Sequence, residues 1–267
     1  MLTATLGGLI KDYRIKKRLS QLKLALEIGW KDTTRLSKIE QGRVKPTRET
    51  LDKIMKALDV NDQGRNLMLL ASGILPSDVE IQETIKRLKE EMELFNLPVI
   101  LIDYAWRTFY FSEKARKVYK TVDGINRYLL KEKPSWMEVN LTKRNVLGVK
   151  VLEGYSRDRL LSAGEHEISL FKYEQGNNEE ERWFKDLAQR MSKNEEFRQL
   201  WARVNPGAYQ YLLYEYEYHS LTGDWGKGEQ TLNFHLFCIH PTFDFRFYLQ
   251  IFTPADESSY KLLQEIR

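Results

Sequence analysis

Cysteine is almost missing from this chain: Cys238 is the single one among 267 residues. No internal disulfide can form, and a zinc site built from cysteines is excluded. Set within an apolar run, Cys238 is expected to be inert core. Long apolar runs are missing as well. Nothing approaches the roughly 18 residues of a membrane span, and "LGGLI" near the start is too short for a secretory signal core. These absences point to a reducing cytoplasm and to no membrane partner. The four histidines, His166, His219, His235 and His240, lack metal-ligand spacing; His235 and His240 lie five apart on an apparent strand and so point to opposite faces. No P-loop and no Gly-x-Ser-x-Gly is present. Neither an enzyme nor a resident cofactor or metal is expected.

What the chain does have is charge, unevenly placed. Charged residues make up 30% and apolar residues 42%, enough for a real core beneath a polar surface. The net charge of +4 divides into +7 over residues 1–76 and −3 over the remainder. One region is thus suited to meet a polyanion and the other is not.

That basic region reads as five short helices. Leu6, Leu9, Ile10 and Tyr13 have helical spacing over 6–18. Ser20 can cap the next helix, Gln21 to Ile28, with Leu22, Leu24, Ala25 and Ile28 inward. Gly29 breaks it, and Asp32 is the next capping candidate. The third helix runs from Thr33 to Gln41 and stops at Gly42. Thr47 starts a fourth, whose buried face is Leu51, Ile54, Met55 and Leu58. "NLMLLASGIL" forms a fifth, ended by Gly73 and Pro76. The third helix is unusual. Leu36 and Ile39 are its apolar positions, while its first turn is left to Thr33, Thr34 and Arg35, with Lys38 a turn later. Such a turn makes a poor core and a good hydrogen-bonding surface.

A tight pair of helices at positions two and three is a DNA-reading layout. Residues 6–76 resemble the phage-repressor class of helix-turn-helix domain, the xenobiotic-response-element family. The resemblance is carried by Ser20-Gln21, Ala25, Gly29, "LSKIEQG" at 36–42, Pro46 and "LDKIMKAL" at 51–58. Gly29 to Gly42 is one residue longer than the usual spacing, and the extra residue falls in the turn near Trp30-Lys31. The resemblance implies that Thr33 and Thr34 face base edges in the major groove and that Lys38 reaches guanine acceptors. Arg35, Arg43, Lys45 and Arg48 would touch phosphates, and Gln21 would hold a phosphate or brace Lys38. It further implies a partly buried ion pair, Arg14 with Glu40, joining the first and third helices.

Residues 77–97 form a connecting helix with Ile81, Ile85, Leu88 and Met92 in one stripe, which packs on its own domain or on the same helix of a second subunit. A dimer fits two-fold DNA sites. Residues 98–267 change texture. "PVILID" and "WRTFYFS" are strand-like, "EKARKVYKTV" is helical, and 179–203 reads as two helices broken near Asn194. Three alternating strands close the chain over 208–219, 231–240 and 243–252. Their expected faces are Leu212, Tyr214, Tyr216 and Tyr218, with His219 opposite; then Leu232, Phe234, Leu236 and Cys238; then Phe243, Phe245, Phe247, Leu249 and Ile251. An antiparallel sheet with one packed face follows. The fold class is therefore an all-α five-helix domain followed by an α+β domain. Residues 98–266 also resemble the PAS-like sensing domain of MmyB-like regulators, through "LPVILIDYAWRTFYFSEKA" at 97–115, "DLAQRMSKNEEFRQLW" at 186–201 and "DFRFYLQIFTPADESSYKLLQEI" at 244–266.

That second resemblance implies a small, largely apolar ligand such as a fatty acid. Trp183, Phe197, Trp201, Tyr214, Tyr216, Phe234, Phe245 and Phe247 are the candidate wall, an aromatic core being the competing reading. The sequence leads to a DNA-binding regulator, dimeric, tuned by such a ligand. The alternative is a repressor or antitoxin-like protein whose second domain only dimerises or meets a protein partner.

Overall fold

A computed structural model describes residues 5–142, 147–154, 163–205 and 218–266. The chain divides into two compact units, one of residues 1–76 with 240–246, the other of residues 77–239 with 247–267.

The first unit holds α1 (Leu6–Lys16), α2 (Gln21–Glu27), α3 (Thr34–Glu40), α4 (Arg48–Ala57) and α5 (Asp62–Ala71). Short polar side chains set the starts. Thr5, Ser20, Thr47 and Asn61 each accept a backbone N–H from the first turn that follows. Asn61 starts α5 four residues before "NLMLLASGIL", because a polar first turn precedes the apolar run. The core joins Leu6 and Ile10 to Leu24, Ala25, Leu36, Ile39, Leu51, Ile54 and Met68. Leu22 is not in it: it is 50% exposed, since Leu24, Ala25 and Ile28 already fill the inward arc of a two-turn helix.

The segment 240–246 completes this unit. Arg246 is wholly buried. Its guanidinium donates to Asp244 from Nε at 3.0 Å and Nη2 at 2.7 Å, and Nη1 donates to the Ile74 carbonyl at 3.3 Å. Asn66 donates to the Thr242 carbonyl at 2.8 Å. The strand expected over 243–252 therefore begins only at Phe247. Asp244 accepts from the Arg246 backbone N–H at 3.0 Å, a local bond that competes with a strand ladder. Phe243 and Phe245 lie in this turn and not on a sheet face.

The second unit contains α6 (Asp78–Leu94), β1 (Val99–Asp103), β2 (Thr108–Phe111), α7 (Glu113–Val118), α8 (Ile125–Glu132) and a π-helical turn at Glu138–Thr142. It continues with β3 (Lys150–Gly154), α9 (Ala163–Gln175), α10 (Arg182–Met191), α11 (Glu195–Arg203), β4 (Tyr218–Asp224), β5 (Glu229–Ile239), β6 (Phe247–Pro254) and α12 (Glu257–Glu265). The strands form one antiparallel sheet in the order β2-β1-β6-β5-β4-β3.

Both faces of this sheet are packed, where alternation had led to one. Val99, Leu101, Phe247, Leu249 and Ile251 meet Ile81 and Met92 of α6. Ile100, Ile102, Phe111, Leu221, Leu232, Phe234 and Phe252 meet Phe171, Phe184, Leu187 and Phe197 of α9, α10 and α11. The connecting-helix stripe is thus occupied by the unit's own sheet. His219 is buried with its ring 5.6 Å from Phe252, although alternation had set it away from the packed face. Cys238 is exposed near the end of β5, because the burial of that strand stops after Leu236.

The candidate ligand wall is divided accordingly. Trp183, Phe197, Trp201 and Phe234 share the core beneath α9 to α11. Phe247 faces α6 on the other side of the sheet, and Phe245 belongs to the first unit. Tyr214 and Tyr216 lie outside the described residues, as does most of the expected strand 208–219.

Removing Asp244 strands a buried guanidinium. Asp244→Ala should destabilise the chain by about 3–5 kcal/mol in urea unfolding. The paired change Asp244→Leu with Arg246→Met should recover most of that loss.

Candidate nucleic-acid interface

The surface of α3 is set by what its opposite face is tied to. Leu36 and Ile39 are buried, Leu36 completely. Glu40, whose side chain is 3% exposed, accepts from Arg14 Nε at 2.6 Å and Nη2 at 2.9 Å. The same carboxylate accepts from Gln21 Nε2 at 2.8 Å. Arg14 also donates to the Leu19 carbonyl at 2.8 Å. The Glu40 hydrogen bond raises the guanidinium pKa above its ordinary value, against an opposing effect of burial. Gln21 therefore braces Glu40, where the sequence had offered a phosphate or Lys38. Close approach of backbones is part of the same joint. A Cβ on Gly7 would stand 2.5 Å from the carbonyl oxygens of Ile39 and Glu40, so α1 passes α3 only with glycine there.

The turn before α3 is shaped locally. Gly29 has φ +86°, a left-handed conformation that favours glycine. The Trp30 N–H donates to the Ala25 carbonyl at 2.8 Å, and the indole packs against the core. Asp32 accepts from the Thr34 backbone N–H at 2.7 Å, which satisfies one donor of the first turn and lowers the Asp32 pKa. The helix then runs from Thr34, one residue inside the expected start.

With Leu36 and Ile39 inward, the outward stripe is Thr34, Ser37, Lys38 and Gln41. Thr34, Lys38 and Gln41 are exposed, and Ser37 is half-buried. Gln41 Nε2 donates to Ser37 Oγ at 3.0 Å. Sequence reasoning missed Ser37 and Gln41, although they follow Thr34 by three and seven residues, the helical repeat that keeps a single face. Thr33 sits half-buried at the helix start. Arg35 is exposed on the flank, its guanidinium carbon 5.0 Å from the centroid of the Trp30 ring. Such a contact is worth about 0.5–1 kcal/mol at an exposed site.

Arg43 and Lys45 are exposed between α3 and α4. Arg48 differs: its Nε donates to Asp52 at 3.0 and 3.2 Å, one turn along α4. That pairing competes with a phosphate contact.

These elements together have a known counterpart. Residues 10–63 match the family model for helix-turn-helix domains. No curated protein matches the chain. The helix-turn-helix match supports a DNA-binding transcriptional regulator of the xenobiotic-response-element class. Among the described residues, no helix is long and apolar enough to cross a membrane, and no group of His, Cys, Asp and Glu side chains could hold a metal ion.

In the helix-turn-helix, hydroxyl, amide and ammonium groups converge on one face. Hydroxyls and amides can donate to and accept from base edges, and an ammonium can donate to guanine. Replacing Thr33, Thr34 and Lys38 together by Ala should abolish discrimination between a selected duplex and random DNA while leaving circular dichroism unchanged. Retained discrimination would contradict this assignment of the face.

Proposed function

We propose that the chain is a sequence-specific transcriptional regulator of the cytoplasm, and that its second unit binds a small, largely apolar, fatty-acid-like ligand that modulates DNA affinity. One observation carries the DNA-reading part: a polar stripe on α3 whose opposite face is fixed by Glu40, Arg14 and Gln21. Two copies on a two-fold site would double that contact. No catalytic role is assigned.

The sensing part draws support from the sheet. Two strands, then helices, then a closing meander, with β1 beside β6 and β3 at one edge, is an order that fits the resemblance to PAS-like domains. Three buried polar atoms lie on or against the face under α9 to α11 and have no hydrogen-bond partner among the described residues. They are Trp183 Nε1, Thr108 Oγ1 and Gln250 Oε1. Buried polar atoms are nearly always paired, so a ligand's polar end or a water suits them. A ligand acting here would alter the packing of α6 on the sheet. It would shift DNA binding only by binding two arrangements with different affinity.

A second reading has its own observation. Phe171, Phe184 and Trp201 fill the same region, with ring centroids 5.7 to 6.4 Å apart. A filled core favours a unit that only dimerises or meets a protein. Native mass spectrometry before and after organic extraction separates the two. A mass excess that extraction removes is the expected result; bare chains at every protein concentration would contradict ligand sensing.

A further inference from the structure

Resting on the DNA-reading function proposed above, we propose that Trp30 is a positioning residue that holds the Arg35 guanidinium for a DNA backbone phosphate beside the groove read by α3. Several cations of this unit are engaged within it. Arg14 is taken by Glu40, Arg48 by Asp52, Lys53 by Glu49 and Lys17 by Asp59. Arg35 has a different arrangement. Its guanidinium lies over the Trp30 ring. A guanidinium held over a ring and not by a carboxylate keeps N–H donors available, and two of them match the oxygens of a phosphate.

The position selects a phosphate over a base. Arg35 stands about 100° around the helix from Thr34 and about 60° beyond Lys38, so it borders the stripe on the side of Trp30. It lines a cleft of about 250 Å³ together with Trp30, Thr47, Thr50 and Lys53, where the one carboxylate, Glu49, is paired with Lys53. It thus flanks the stripe of Thr34, Ser37, Lys38 and Gln41 instead of joining it. Phosphate contacts made from such flanks fix the register of a reading helix. Trp30 is itself fixed, by its backbone bond to Ala25 and by its packing on the core, so it can transmit that order to a long side chain. The residue beyond the usual spacing of the turn, near Trp30-Lys31, gains a use: it brings an aromatic face under the first turn of α3.

The test is a double-mutant cycle on the full chain, read as affinity against salt for the tightest duplex that the wild type recovers from a random 30-base-pair pool. Arg35→Met should reduce the slope of log affinity against log salt by about one, the loss of one phosphate contact, with the preferred sequence unchanged. Trp30→Leu should weaken binding about three- to fivefold in the wild type, the scale of one exposed cation–π contact, and should have no further effect in the Arg35→Met background. Trp30→Tyr keeps a ring face and should stay within about twofold. Where Trp30→Leu does not fold, Trp30→Met serves in the cycle. Equal losses from the Trp30 change in both backgrounds would reduce Trp30 to a core residue and overturn the proposal. A relaxed base preference in Arg35→Met would overturn the phosphate assignment. Recovery of no duplex by the wild type would instead remove the DNA-reading function on which the proposal rests.

Discussion

The carboxylate of Glu40 is the point on which the reading surface depends. It accepts three hydrogen bonds, two from Arg14 of α1 and one from Gln21 of α2, and it lies almost wholly out of water. Three helices thus meet at a single charged group. Loss of any one partner leaves a desolvated charge or donor, a far larger penalty than that of a surface pair. The tie acts through geometry as well as energy. It fixes the rotation of α3 about its axis, and that rotation decides which side chains face outward. Gly7 allows the close approach that brings α1 to this joint, and Leu36 and Ile39 fill the remaining contact. Thr34, Ser37, Lys38 and Gln41 face outward because Glu40 and its neighbours face inward.

In the second unit the corresponding constraint is a sheet covered on both sides. β1, β2 and most of β6 are buried throughout, so they read as continuous apolar runs. One face receives α6 and the other receives the aromatic helices α9 to α11. A change on the aromatic face reaches α6 through the strands, above all β1 and β6, which carry residues of both cores, and through α8, where Leu129 and Leu130 lie in different cores. That is a short physical path for a packing change, and it uses side chains one residue apart on the same elements.

Much of this was legible in the sequence, for identifiable reasons. Ser20, Thr47 and Asn194 are short polar residues directly before periodic segments, and each caps a helix. The Arg14–Glu40 pair followed from resemblance, while the partner of Gln21 was open until geometry joined it to Glu40. Ser37 and Gln41 were available from the helical repeat and were obscured by the charged residues around them. The failures share another cause. The alternation of Phe243, Phe245 and Phe247 runs through a turn that only the buried pair of Asp244 and Arg246 defines. Two-sided burial was present in "VILID" as an unbroken apolar run. Cys238 was misassigned because alternation does not show where burial along a strand ends, and His219 because the packed face of β4 is the one that carries His219 and Leu221.

The most direct test of this account is an amide NMR titration of the isotopically labelled full chain with a duplex selected from random DNA. The account predicts that the largest shifts cluster at Gln21 and from Trp30 to Arg43, with the core amides of the second unit little changed in the absence of added ligand. Shifts concentrated on the sheet, or none at concentrations that retard the duplex on a gel, would contradict the claim that α3 reads DNA.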